Sequence, residues 1–171
     1  GLKKNEFCFV TLHRPSNVDN KAVLERLSKA IREISNSVKI IFPVHPRTSQ
    51  KIKYFKLEKY FKSHEILLTE PIGYIETIAL ISTSKLVVTD SGGLQEESTY
   101  LKIPCLTLRE NTERPVTETE GTNTIIGTDT ALLLKKFNEI ISGKYKQGRL
   151  PKYWDGSTAK RITQILKKKL L

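Results

Sequence analysis

The sequence predicts a doubly wound α/β domain, in which helices cover both faces of a parallel sheet. Short β-rich runs alternate with longer helical stretches along the 171 residues, as in repeated strand–helix–strand units. The strand candidates are continuous apolar runs rather than alternating ones, which is expected when both faces of a parallel sheet are buried. The length suits a single domain over residues 1–171.

The elements follow one another in chain order. The first strand is Glu6–Leu12, and a helix is predicted over Val18–Ile34 because its apolar residues recur at helical spacing. The remaining elements are a strand Val38–Pro43, a helix Ser49–Phe61, a strand Glu65–Leu68, a helix Tyr74–Ser82, a strand Lys85–Thr89, a helix Leu94–Tyr100, strands Pro104–Leu108 and Asn123–Ile126, and helices Thr130–Ile141 and Thr158–Leu171. Ligands of such sheets bind at the carboxyl ends of the strands. A site is therefore expected in the loops after Leu12, Pro43, Leu68, Thr89 and Leu108.

Composition narrows the class of protein. Hydrophobic residues make up 38% and charged residues 27%, which is typical of a globular domain. No apolar run approaches the roughly 18 residues of a membrane span, and no signal peptide begins the chain, so no membrane partner and a cytoplasmic location are expected. The first residue is not Met, so we expect the chain to start inside a longer gene product or after processing. The net charge is +11, but the lysines are spread out except at Lys167–Lys169 and lack interleaved aromatics, which argues against nucleic acid.

Several kinds of chemistry are not indicated. Cys8 and Cys105 each lie in an apolar run and are expected to be free, buried thiols. Three histidines and two cysteines show no metal-ligand spacing, and no Walker loop or Ser-His-Asp order is found. We therefore expect neither a metal nor a cofactor, and a domain that holds a nucleotide diphosphate better than it performs chemistry alone.

The turn Ser91-Gly92-Gly93 joins a predicted strand to a helix. Two glycines allow the backbone to pass close to a ligand, and the free N–H groups at a helix start suit a phosphate. Glu97 lies about one helical turn further on, where a carboxylate can accept hydrogen bonds from two ribose hydroxyls. The alternative is a plain tight turn, with Asp90 or Ser91 as the helix cap.

Two histidines lie at predicted strand ends. His13 is followed by Arg14, whose forked donors suit phosphate oxygens, and His13 itself can donate to a leaving phosphate or act as an acid or base. The alternative at this loop is a helix entry capped by Asn17 or Ser16. Pro46 favours an extended His45, which fits ligand contact and a structural loop equally well.

A mixed-charge loop follows the fifth strand. It contains Arg109, Glu110, Glu113 and Arg114 directly before Pro115. Its place at the carboxyl edge favours Arg114 as a ligand or interdomain contact, and the alternative is a solvated surface loop. The role of Glu113 stays open.

Six strings together resemble the non-hydrolysing UDP-N-acetylglucosamine 2-epimerases. They are TLHRPSNVDN, FPVHPRT, EPIGY, LVVTDSGGLQEES, KIPCLTLRENTERPVTETEGTN and IIGTD, from about Phe7 to Asp129. They stand in the family's order and spacing, although Pro15 and Ser16 replace the charged or small residues of many members. The resemblance implies the Rossmann-like carboxyl-terminal half of a glycosyltransferase-B-like fold, with the amino-terminal domain absent from this chain and the active site in the cleft between the two.

The resemblance also implies partners and residue roles. UDP and UDP-N-acetylhexosamines are the implied ligands, and the full-length enzyme is expected to be a cytoplasmic homodimer in polysaccharide biosynthesis. His13 is the implied catalytic residue, because it would face the departing UDP. The implied substrate-binding residues are Arg14, Ile72, Ser91, Gly92, Gly93, Glu97 and Arg114. Arg14 and His45 resemble residues that face a second, activating UDP-N-acetylglucosamine.

The family's reaction eliminates UDP across C1–C2 to leave a 2-acetamidoglucal, then adds UDP back to the other face. The carboxylates that this chemistry needs would lie on the other domain, so this chain alone is expected to be inactive. Glu96 is expected to be structural. Alternatives are a hydrolysing epimerase, a glycosyltransferase-B-type transferase, which would lack TERPVT and the HR and HPR strings, and a noncatalytic nucleotide-sugar sensor.

Overall fold

The computed structural model describes residues 3–170, and its six strands form one parallel sheet. The strands are β1 Phe7–Thr11, β2 Lys39–Pro43, β3 Ile66–Thr69, β4 Leu86–Thr89, β5 Cys105–Thr107 and β6 Asn123–Ile125. They lie in the order β3-β2-β1-β4-β5-β6. The predicted doubly wound sheet is therefore confirmed. The strand order reverses between β1 and β4, and such a switch point opens a crevice at the carboxyl edge.

Helices connect the strands. They are α1 Pro15–Val18, α2 Lys21–Ile34, α3 Pro46–Tyr54, α4 Tyr74–Thr83, α5 Gly92–Tyr100, α6 Pro115–Thr119, α7 Thr130–Ile141 and α8 Thr158–Leu170, with a 3₁₀ turn at Glu58–Tyr60. Within the described part of the chain, no helix has the length and apolar character needed to cross a membrane.

The core has two layers, one on each face of the sheet. On one face, Cys8 and Val10 of β1 pack with α2 and α7 through residues such as Leu27 and Phe137. On the other face, a second cluster joins Phe7 and Phe9 of β1 to Ile81 of α4 and Leu94 of α5. Alternate residues of one strand thus enter opposite layers, so a continuous apolar run is needed.

The prediction of strands buried on both faces is wrong at one edge. In β3, Leu67 and Leu68 are 52% and 41% exposed. Within the described residues this strand is at the edge of the sheet and pairs with β2, so its side chains are less covered than those of the inner strands.

Both cysteines are free and buried, as expected. Burial raises the pKa of the Cys105 thiol to about 11, and it also raises the pKa of Cys8. Because the thiolate is the reactive form, both side chains act as small apolar residues.

The predicted helix Val18–Ile34 is two helices, and its proposed cap is wrong. The side chain of Asn20 caps α2 by accepting hydrogen bonds from the amides of Ala22 and Val23, at 2.9 and 3.2 Å. Asn17 is buried, and its side-chain nitrogen donates instead to Asp90 and to the carbonyl of Leu108 in neighbouring loops. A local pattern cannot distinguish two cap-forming residues three positions apart.

Three further helix boundaries differ from the predictions. The helix predicted over Ser49–Phe61 begins at Pro46, because proline suits the first helical position, and ends at Tyr54 near Lys56, whose φ is 57°. Helix α6 was missed for the same reason, since Pro115 starts it. Helix α5 begins at Gly92 rather than Leu94, so both glycines belong to its first turn.

Candidate functional site

The loops after β1 and β4 meet at the carboxylate of Asp90, which is fully buried. The backbone amides of His13 and Arg14 donate to its Oδ2 at 3.0 and 2.9 Å. The side chain of Asn17 also donates to Oδ2, at 3.1 Å, and to the carbonyl of Leu108 at 2.8 Å. Asp90 and Asn17 thereby fasten together the ends of three adjacent strands, β1, β4 and β5.

The side chain of His13 also binds Asp90, with Nδ1 2.9 Å from Oδ1. Burial acts to raise the pKa of Asp90, but the hydrogen bonds from the His13 ring and from the Arg14 and His13 amides hold it below its ordinary value. Since a carboxylate only accepts, the proton of the ring lies on Nδ1, and Nε2 is left for another partner. A second proton on Nε2 would make His13 a cationic donor whose charge the Asp90 carboxylate balances.

The amino terminus of α5 lies directly after Asp90. Ser91 occupies the N-cap position, but among the described residues no side chain caps the helix. A Cβ added at Gly93 would meet no atom within 4 Å, and one at Gly92 would make only ordinary contacts, at 3.7 Å with Glu113 and 3.8 Å with Arg109. The packing of the described chain therefore does not require these glycines. The first-turn N–H groups remain available to an anion, and the alternative of Asp90 or Ser91 as a cap is not supported.

The loop between β5 and α6 brings arginines to the same place. Arg109 forms an ion pair with Glu113, with nitrogen–oxygen distances of 2.8 and 3.3 Å. This hydrogen bond, together with the charges of Arg109, Arg14 and Arg114, lowers the pKa of Glu113. Three guanidinium groups thus act on one carboxylate that lies beside Gly92, and the region favours a negatively charged ligand.

The consecutive acids of α5 have different neighbours. Glu96 lies 3.0 Å from the Nε of Arg114. Glu97 is half-buried, and its pKa is raised above the ordinary value, mainly by burial. The charge of Glu96 also raises this pKa, whereas a hydrogen bond from Tyr74 acts to lower it. Consecutive helical residues point about 100° apart, so these two carboxylates have different partners: Arg114 for Glu96 and Tyr74 for Glu97.

A groove of ≈ 250 Å³ brings together four of the predicted residues: His13, His45, Ile72 and Ser91. The rings of His13 and His45 have centroids 5.9 Å apart. His45 also caps α3, because its Nδ1 accepts a hydrogen bond from the amide of Arg47 at 3.2 Å. Glu97 and Arg114 do not line this groove and stand further along α5 and its neighbouring loop.

Sequence reasoning missed three residues of this edge. Asp90 and Asn17 were considered only as helix caps, and Gln95 was not singled out. A usable signal existed for Asp90, because a carboxylate at the end of a fully apolar strand needs partners. Across residues 3–170, no three His, Cys, Asp or Glu side chains are grouped so as to bind a metal ion.

Comparison with known proteins identifies the family. A family profile described as UDP-N-acetylglucosamine 2-epimerase matches residues 1–167. The UDP-N-acetylglucosamine 2-epimerase of Methanocaldococcus jannaschii is 41% identical over 165 residues, which are 95% of this chain and 44% of that protein. The UDP-2,3-diacetamido-2,3-dideoxy-D-glucuronate 2-epimerase of Pseudomonas aeruginosa is 34% identical over 163 residues, with the same shares covered.

A solved structure has the same fold. The M. jannaschii UDP-GlcNAc 2-epimerase in complex with UDP-GlcNAc and UDP matches with a TM-score of 0.81 at 40% identity, over 96% of this chain and 46% of that one. The chain thus spans about half the length of the relatives it matches. The profile match, the identities and the shared fold agree: the chain belongs to the UDP-N-acetylglucosamine 2-epimerase family.

Proposed function

We propose that this chain is the UDP-binding, carboxyl-terminal domain of an enzyme that interconverts UDP-N-acetylglucosamine and UDP-N-acetylmannosamine. The observation that carries the proposal is the uncapped amino terminus of α5, beside His13 and the arginine-rich loop. A diphosphate fits such a place, because helix N–H groups and guanidinium forks both favour phosphate oxygens.

In this proposal each predicted residue has a role. Ser91, Gly92 and Gly93 hold the diphosphate, and Arg114 and Glu97 contact the nucleotide, Glu97 at the ribose. Ile72 lies beside uracil, and Arg14 and His45 face a second UDP-N-acetylglucosamine. The complex of the M. jannaschii relative with UDP-GlcNAc and UDP supports a nucleotide-sugar ligand.

His13 acts in the bond-breaking step. In the elimination, a base takes the proton from C2, and the electron pair of the C2–H bond becomes the C1–C2 double bond. The C1–O bond breaks, and its electron pair leaves with UDP. Negative charge on the diphosphate grows as the C1–O bond breaks. His13 with a proton on each ring nitrogen donates from Nε2 to this charge, and so stabilises the transition state more than the ground state. Re-addition returns UDP to C1 and a proton to the other face of C2.

A second domain supplies the carboxylates that work on the sugar. Its presence is supported by α8, which exposes Ile162, Ile165 and Leu166 to between 50% and 55% and buries none of its residues in the described chain. An apolar helix face of this kind is typically covered by protein.

We further propose a cytoplasmic, homodimeric enzyme of polysaccharide biosynthesis. The two free buried thiols fit a reducing compartment such as the cytoplasm.

Calorimetric titration of the 171-residue chain with UDP tests the binding role, and NMR of the sugar products tests the reaction. We expect UDP to bind without conversion of UDP-N-acetylglucosamine, and conversion to occur only when the second domain is present. Absence of UDP binding would refute the nucleotide role, and conversion by this chain alone would refute the division between domains. UDP-2,3-diacetamido-2,3-dideoxy-D-glucuronate is tested in the same assays as the alternative candidate substrate, because its 2-epimerase is also similar to this chain.

A further inference from the structure

Gln95 is a fully buried side chain that connects two parts of the site. Its amide nitrogen donates to the carbonyl of Ser91 at 3.2 Å, at the start of α5. Its amide oxygen accepts hydrogen bonds from the hydroxyl of Thr112 at 2.6 Å and from Asn123 at 3.2 Å. The side chain therefore joins the first turn of α5 to the loop that carries Arg109 and Arg114.

The direction of each hydrogen bond in this connection is fixed. The Ser91 carbonyl can only accept, so the nitrogen of Gln95 must face it and the oxygen must face Thr112. Thr112 then donates to Gln95, and its oxygen accepts from the amide of Arg114 at 2.9 Å. A continuous chain of oriented groups runs from the backbone of Arg114 to the backbone of Ser91.

Further buried groups keep the amide of Gln95 in place. Asn123 donates to Gln95 and also to Thr117, at 3.1 Å, while its oxygen accepts from Thr107 of β5 at 2.6 Å. Thr117 in turn donates to the carbonyl of Arg114 at 2.7 Å. Both backbone polar groups of Arg114 are thus bonded to this network. Such satisfied buried networks make a local structure rigid.

The network meets the site at Gly92. Arg109 and Glu113, from the loop that Thr112 anchors, approach the Cβ position of Gly92 to within 4 Å. We propose that Gln95 is a positioning residue, which sets the distance between the arginine-bearing loop and the anion-binding turn of α5 without touching the ligand. This inference rests on the proposed function, because the ligand whose affinity reports the spacing is UDP.

Four variants test the connection through UDP affinity. Gln95→Met keeps the length of the side chain without its amide, and Thr112→Val keeps a β-branched shape without the hydroxyl. Each is expected to weaken UDP binding about two- to tenfold, on the scale of one lost hydrogen bond. The double variant should lose little more than the larger single loss, because both changes break the same link. Thr112→Ser retains the hydroxyl and should bind UDP as the unaltered chain does.

Ser98→Ala is the matched control. Ser98 lies on the same helix, is fully buried, and donates to the carbonyl of Leu94 within α5. This variant is expected to lower the melting temperature without changing UDP affinity. If Gln95 had only a structural role, Gln95→Met would behave as Ser98→Ala does: it would lower the melting temperature and leave UDP affinity unchanged.

Hydrogen exchange of the amides in residues 109–114, measured without UDP, gives a second readout. We expect faster exchange in Gln95→Met and Thr112→Val and unchanged exchange in Ser98→Ala. If Gln95→Met does not fold, Thr112→Val provides both readouts, since Thr112 lies at the partly exposed loop. Unaltered affinity and exchange in both variants would overturn this inference alone. Absence of UDP binding by the unaltered chain would overturn the proposed function and this inference together.

Discussion

Replacing Asp90 by Asn is expected to destabilise the fold because four donors converge on its buried carboxylate. These donors are the amides of His13 and Arg14, the ring Nδ1 of His13 and the side chain of Asn17. The Asn side chain keeps one acceptor oxygen but presents an NH₂ group to donors on its other side. Some of these donors then lose their partner inside the protein.

The magnitude follows from the charge and the burial. A hydrogen bond to a charged group contributes about 1.5–3 kcal/mol, and a buried donor left without a partner costs about 1–3 kcal/mol. Because Asp90 is fully buried, we expect the free energy of unfolding to fall by about 3 kcal/mol. For a chain of this length that corresponds to a melting temperature lower by roughly 6–12 °C.

Urea unfolding and calorimetric melting measure the effect, with Asp129→Asn as the control. Asp129 is an exposed N-cap of α7 that accepts from the amide of Leu132 at 2.9 Å, and Asn caps a helix nearly as well as Asp. The control therefore makes the same chemical change and should leave stability almost unchanged.

The effect should also depend on pH. The folded pKa of Asp90 is lowered, so its contribution to stability is fully present above the unfolded value, about 3.9, and is lost as pH falls through the lower folded pKa. The difference between the unaltered chain and Asp90→Asn should therefore shrink in acid below the unfolded value, as Asp90 becomes protonated in the folded chain. A melting temperature at pH 7 within about 2 °C of the control, or a difference that persists undiminished in strong acid, would refute the reasoning.

Three further predictions concern separate parts of the chain. Glu97→Ala should weaken UDP binding in calorimetry by about tenfold or more, on the scale of charge-assisted hydrogen bonds. The loss should exceed that of Glu96→Ala, which removes the ion pair with Arg114. Equal losses in the two variants would show that the wrong helix face was assigned to the ribose. In the enzyme with both domains, His13→Asn should lower kcat about 10²-fold or more, as does a lost oxyanion donor, with KM changed only a few-fold. An unchanged kcat with a lower melting temperature would leave His13 a packing role. Asn20→Ala should cost about 1 kcal/mol of unfolding free energy by removing the cap of α2, whereas Ser16→Ala should not, and equal melting curves would contradict the assignment of the cap.

Much of the fold follows from local patterns in the sequence. Strands that are buried on both faces must be apolar along their whole length, and helices that cover them must carry an apolar stripe. These requirements are visible as runs such as Lys85–Thr89 and Thr130–Ile141, and the structure has elements at both places. The boundaries were less accurate where proline starts a helix, as at Pro46 and Pro115, because proline is equally common in loops.

The sequence by itself also determined which residues stand at strand ends, and therefore that His13, Ser91 and Arg114 belong to the carboxyl edge. The tertiary structure decided which of these ends are neighbours and what their side chains bind. Asp90 follows its own strand in the sequence, but its partners at His13 lie 77 positions away, and Gln95 meets Asn123 across 28 positions. Hydrogen bonds depend on distances of about 3 Å between groups, and the order of strands in the sheet, rather than spacing along the chain, sets those distances.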